Sequence, residues 1–109
     1  SVKERPGMSQ LLQNYPNPFN PETWIPFELA EPSDARIGIY SLRGDLIRTL
    51  ALGFLPAGTF ATQEEAAYWD GRNDAGEQVA AGMYFYRLWA DGSFVDAATR
   101  RMVLKWKSR

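Results

Sequence analysis

The chain has 109 residues, a net charge of −1, 14% aromatic residues, and neither histidine nor cysteine. Without imidazole or thiol there is no histidine-dependent triad or general base, no disulfide and no thiolate or histidine metal site. Near-neutral charge gives no electrostatic drive toward nucleic acid or an anionic membrane, and no run is long and apolar enough to span a bilayer as a helix.

The length suits one domain with a single two-layer core. Richness in aromatics, Gly and Pro favours an all-β architecture. Residues 1–10 (SVKERPGMSQ) are polar and aperiodic, the composition of a linker to an upstream region. The chain begins at Ser1 rather than Met and holds no signal peptide, so it reads as a fragment of a longer protein whose domain is 11–109. Residues 11–30 carry four prolines, three asparagines and three aromatics (Tyr15, Phe19 and Trp24). That proline density forbids a helix, because each ring removes a donor and clashes one turn back. The aromatics argue against a disordered linker. An ordered, extended lead-in fits, running into a strand at 23–30 in which Ile25, Phe27 and Leu29 alternate with Trp24, Pro26 and Glu28. Pro26 cannot donate to a ladder, which predicts an edge position there.

Residues 31–34 read as a turn and 35–41 as a strand with Ile37 and Ile39 on one face. A tight turn at Leu42-Arg43-Gly44-Asp45 leads to a partner strand, 46–52, and a loop, 53–58. Residues 59–69 read as a strand interrupted around Gln63–Ala67, whose composition is locally helical; 70–81 is rich in turn residues. Residues 82–90 form a dense β run, with Tyr84, Tyr86 and Leu88 on one face and Met83, Phe85 and Trp89 on the other. Two apolar faces imply a strand covered on both sides or an aromatic strip open to a partner. Asp91-Gly92 is a hairpin turn into the closing strand, 94–106, whose basic residues read as solvated charges on an edge strand. Stability is expected to rest on Ile25, Phe27, Ile37, Ile39, Phe85 and Leu88.

Four segments, LLQNYPNPFNPET, RIGIYSLRGDLIRTL, YWDGRNDAGEQVAAGMYFYRL and RRMVLKWK, stand in an order shared with one family. Over residues 11–107 the chain resembles the immunoglobulin-like C-terminal domain related to that of the flagellar hook-capping protein. It is also similar to the C-terminal sorting domains of type IX secretion substrates. The resemblance implies an immunoglobulin-like (fibronectin III-like) antiparallel β-sandwich of about seven strands at the end of a large secreted or cell-surface protein. Such domains are recognised by an outer-membrane export machine, and in some lineages are then cleaved and replaced by a lipid-linked sugar anchor. The partners implied are that secretion and sorting machinery and the upstream domains of the same chain. Two stretches depart from the family pattern: the insertion-like ATQEEAAYWDG and the terminal KWKSR.

Candidate site residues follow from the same motifs. The lead-in residues Asn14, Tyr15, Pro16, Asn17, Pro18, Phe19, Asn20 and Pro21 have two readings, a segment capping the sandwich edge and an address read by a receptor. Trp69, Asp70, Gly71 and Gly76 form a structural corner, with Trp69 as core. Asp70, Asn73 and Asp74 faintly resemble calcium ligands, but the spacing lacks the closing glutamate of the twelve-residue loop; the ordinary reading is an Asx-stabilised turn. Glu64-Glu65 is the only tight carboxylate pair, and neighbouring strand residues point to opposite faces rather than across a cleft. No cofactor and no catalytic activity are expected. A structural or adhesive module, binding protein or carbohydrate through its aromatics, is the competing reading.

Overall fold

Period-two alternation of apolar residues is realised as strands nearly throughout. The computed structural model describes residues 7–106, apart from the side chains of 96–99. Within it the strands are β1 (Gln10–Leu11), β2 (Thr23–Ile25), β3 (Phe27–Leu29), β4 (Ser33–Tyr40), β5 (Leu46–Leu55), β6 (Gly58–Phe60), β7 (Ala67–Trp69), β8 (Gly82–Ala90) and β9 (Ser93–Leu104). One layer is a four-stranded antiparallel sheet in the order β5-β4-β8-β9; the other comprises β1-β3-β6 and the pair β2-β7. Counting β2 with β3 and β6 with β7 as single interrupted strands leaves seven, the immunoglobulin-like sandwich expected.

The interruptions have separate causes. Pro26 offers no N–H, so the run 23–29 breaks there into two ladders: β2 pairs with β7, and β3 pairs with β6 and β1. Between β6 and β7 the segment of helical composition closes on itself, with the amides of Glu65 and Ala66 both donating to the Thr62 carbonyl at 3.0 and 2.7 Å. Glu64 and Glu65 are solvated there.

Several boundaries differ from expectation. Gln10 pairs with Glu28, and Ser9 Oγ accepts from the Ala30 amide at 2.9 Å, so the ordered body begins before residue 11. Residues 1–6 of the expected linker, and 107–109, lie outside the described residues. β4 starts at Ser33 instead of Ala35. β5 runs on to Leu55 through a bulge opposite Ala35 and Arg36, so the expected loop at 53–58 shrinks to Pro56 and Ala57. At the β8–β9 hairpin the sequence expectation holds: Asp91 and Gly92 have φ of 53° and 82°, the two positive values a type I′ turn needs.

The core lies between the layers. Ile37 and Ile39 of β4, Tyr84, Tyr86 and Leu88 of β8, and Met102 and Leu104 of β9 meet Leu11, Ile25, Phe27, Leu29, Ala67 and Trp69 from the other side. Phe85 is not among them. It stands half-buried on the outer face of β8, because the inward face is taken by Tyr84, Tyr86 and Leu88.

Tyr86 is fully buried, and its hydroxyl satisfies two backbone groups of the lead-in. It accepts from the Asn14 amide at 2.9 Å and donates to the Leu12 carbonyl at 2.9 Å. Burial pushes its pKa up to about 12, against smaller lowering effects of the Asn14 hydrogen bond and the Arg100 charge. The unfolded phenol releases its proton near 10.0 while the folded one holds it, so stability is intact below about pH 10 and falls as pH rises toward about 12. Tyr86→Phe should destabilise by about 1–3 kcal/mol, since it strands the Asn14 donor. It should also flatten the alkaline loss. Urea midpoints of both proteins across that pH range check this; parallel curves would remove Tyr86 from the account.

Candidate recognition surface

The proline-rich lead-in is a fitted segment with an inner and an outer side. Inward, Asn14 is buried; its Nδ2 donates to Thr23 Oγ1 at 2.9 Å and to the Pro16 carbonyl at 3.2 Å. Tyr15 pairs with Trp24 through reciprocal backbone bonds of 2.9 Å, and their rings stack with centroids 6.3 Å apart. The Tyr15 hydroxyl donates to the Ala61 carbonyl at 2.6 Å. Phe19 is buried, 5.6 Å centroid to centroid from Trp69. Outward, Pro16, Asn17, Pro18 and Asn20 are exposed, and Pro21 is half-buried. The peptide bonds preceding Pro16, Pro18 and Pro21 are cis.

The lead-in reaches the edge of β9 that β8 leaves open and joins it through an isolated parallel bridge. The Phe19 amide donates to the Val103 carbonyl and the Lys105 amide to the Phe19 carbonyl, each at 2.9 Å, in parallel register. Asn17 Oδ1 accepts from the Val103 amide at 2.9 Å. Farther along, Gln13 Nε2 donates to the Arg101 carbonyl at 3.0 Å, and Arg100 Nε to the Leu11 carbonyl at 2.9 Å. An unpaired edge is a template for foreign strands, and here residues 11–19 occupy it. The capping role weighed for this segment is therefore present in the geometry.

The corner at residues 69–79 closes the same end. Trp69 is fully buried against Phe19 and edge-on to Tyr84 at 5.7 Å, and its Nε1 donates to the Arg72 carbonyl at 2.8 Å. Gly71 has φ of 77°, and a Cβ there would stand 3.1 Å from the Pro21 carbonyl oxygen and 3.4 Å from the Trp106 ring, so the position demands glycine on both counts. Trp106 Nε1 donates to the Val79 carbonyl at 2.8 Å, and the Val79 amide to the Gly71 carbonyl at 3.0 Å. Lead-in, corner and terminal strand, widely separated in sequence, meet at this point.

The corner's polar oxygens are engaged within the protein. Asp70 Oδ1 accepts from the Arg72 amide and from Arg48 Nη1, both at 3.1 Å. Asn73 Oδ1 accepts from the amides of Ala75 and Glu77 at 3.0 and 2.9 Å, and the Gly76 amide donates to the Asn73 carbonyl. Asp74 Oδ1 accepts from the Thr49 amide at 3.1 Å and lies 3.7 Å from Arg48 Nε. Asp70, Asn73 and Asp74 thus form an Asx corner clamped to β5 by a guanidinium, and no metal-binding group of histidine, cysteine or carboxylates occurs among the described residues. Arg48, Arg100 and Val103 were not singled out in the sequence, and Tyr86 was read only as one of the apolar residues on a face of its strand. Their roles depend on partners remote along the chain, and no local pattern announces them.

Among the described residues no helix is long and apolar enough to cross a membrane. The fold resembles part of a solved structure, that of dimeric latent PorU from Porphyromonas gingivalis, with a TM-score of 0.75 over 91% of this chain at 17% sequence identity. The chain spans 9% of the length of that protein, and at this identity the likeness is one of fold. A comparison with curated protein sequences finds no match. The model of the FlgD Ig-like domain matches residues 17–93, the span from the lead-in through the β8–β9 hairpin turn. The chain therefore belongs to the FlgD Ig-like domain family.

Proposed function

We propose that this domain is the non-catalytic C-terminal sorting and attachment module of a larger exported bacterial protein, read as a folded surface by an outer-membrane export machine. One observation carries the reading: the lead-in is hydrogen-bonded onto the last strand, so folding places exposed Pro16, Asn17, Pro18 and Asn20 beside β9. A receptor touching this edge meets both ends of the domain at once and distinguishes folded from unfolded cargo. The resemblance to type IX sorting domains and the fold shared with PorU support it. On this reading the mature protein is secreted or held at the outer cell surface, and its partners are the sorting machinery and its own upstream domains.

A fusion tests it. A reporter carrying a signal peptide and this domain, expressed in a bacterium with a type IX system, should reach the surface or the medium, whereas the reporter alone stays periplasmic. A reporter that remains periplasmic with and without the domain sinks the proposal. A structural or adhesive module is the second reading, and the half-exposed outer aromatics Tyr40, Phe85, Trp89 and Phe94 favour it.

A further inference from the structure

The outer face of the four-stranded sheet carries a stack of side chains that the sorting proposal does not use. Gly38 of β4 leaves space that an added Cβ would close, at 2.8 Å from the Trp89 ring and 3.0 Å from Tyr40, so the two aromatics lie over bare backbone. Phe94 stacks on Trp89 with centroids 4.8 Å apart and planes 25° apart, and the Arg87 guanidinium carbon sits 3.5 Å from the Phe94 ring centroid. A guanidinium held by its face keeps its in-plane N–H groups free, aimed as a rigid fork. Among the described residues no carboxylate lies within ion-pair distance of Arg87; the ion pairs found there are those of Arg48.

Beside it the β4–β5 turn and β8 border a shallow, open cleft of about 410 Å³ lined by Tyr40, Leu42, Arg43, Phe85 and Arg87. Tyr40, Ser41, Arg43 and Arg87 are its polar lining residues, and neither Asp nor Glu is among them. Leu42, 64% exposed, and half-buried Phe85 supply an apolar wall. We infer that this cleft binds an acidic peptide segment of a partner protein, with a carboxylate on the Arg87 and Arg43 donors and a neighbouring aliphatic or aromatic side chain against Leu42 and Phe85. Charge complementarity selects the anion, because a guanidinium fork matches a carboxylate bidentately. The apolar wall of Leu42 and Phe85 beside Arg43 and Arg87 suits a peptide, in which an apolar side chain neighbours an acidic one, better than an acidic sugar. Trp89 is spent on Gly38 and Phe94, and Phe94 on Trp89 and Arg87, which leaves no free ring face in this stack for a sugar. The inference does not rest on the export reading, and its test uses the purified domain without any secretion apparatus.

The experiment is an amide chemical-shift titration of the isotopically labelled 109-residue chain with a blocked peptide of sequence Ala-Glu-Leu-Glu-Phe-Ala. The control peptide has Gln in place of both Glu. Shifts should concentrate at Leu42, Arg43, Gly44, Phe85 and Arg87, weaken with added salt, and be absent with the Gln peptide. Arg87→Gln and Arg43→Gln should each weaken binding about tenfold or more, the loss expected for a charged hydrogen bond, with the remaining amide spectrum unchanged. No shifts, shifts centred on the β1-β3-β6 layer, or equal response to both peptides overturns the assignment. So does polygalacturonate moving these amides when the acidic peptide does not.

Discussion

Trp69→Ala should cost about 3–5 kcal/mol, the range for a large aromatic truncated in a core. Against a total of about 5–15 kcal/mol for a domain of ordinary stability, that removes from about a fifth to all of it. The reason is where the indole sits. It is fully buried, packs on Phe19 of the lead-in and Tyr84 of β8, and satisfies the Arg72 carbonyl through Nε1. Removing it opens a cavity under the lead-in and leaves the Arg72 carbonyl with Arg48 Nη1, 3.0 Å away, as its remaining donor. Trp69→Phe separates the two effects, since it keeps most of the packing and loses the hydrogen bond, for a smaller cost of about 1 kcal/mol from that bond. Urea denaturation of the three proteins gives the comparison. A Trp69→Ala midpoint within error of wild type would show that the three segments hold together without the indole.

Phe27→Ala is expected to be as severe, again about 3–5 kcal/mol, through the opposite end of the same layer. Phe27 has no exposed surface and lies between Leu11 of β1 and Phe60 of β6 in register, its ring stacked on Phe60 at 4.8 Å. β1 and β6 are two and three residues long, and strands that short depend on side-chain packing more than on their few ladder bonds. The loss should therefore appear locally as well as globally. Amide exchange at Gln10, Leu11 and Gly58–Phe60 should accelerate before that of β4 and β8. A denaturation midpoint near wild type would remove Phe27 from the core.

These two sites differ in how legible they were. Phe27 lies in a run whose alternation marks one face, and Ile25 and Leu29 share its burial. Trp69 was expected as core because a large indole beside Asp-Gly marks a corner, and the structure places it there. Phe85 was misassigned for a physical reason. β8 is apolar on both faces, so alternation separates Phe85 from Tyr84 and Tyr86 without saying which set turns inward. Only the second layer decides that, by offering Tyr86 two backbone partners in the lead-in. The β5 boundary failed similarly: Gly53 reads locally as the start of a loop, yet pairing with β4 carries the strand past it through a bulge.

What the sequence by itself determined is what depends on neighbours along the chain. Turn chemistry set the hairpin at Asp91-Gly92 and the tight turn at Gly44, side-chain oxygens set the Asx corner, proline set the extended lead-in, and the absence of histidine and cysteine set the chemistry ruled out. The tertiary structure alone decided which apolar face is core, that Arg48 clamps the Asp70–Asp74 corner, and that the lead-in seals β9. The Asn17–Val103 bond joins residues 86 positions apart, and an edge has an unpaired row of donors and acceptors only once the sheet exists to have an edge.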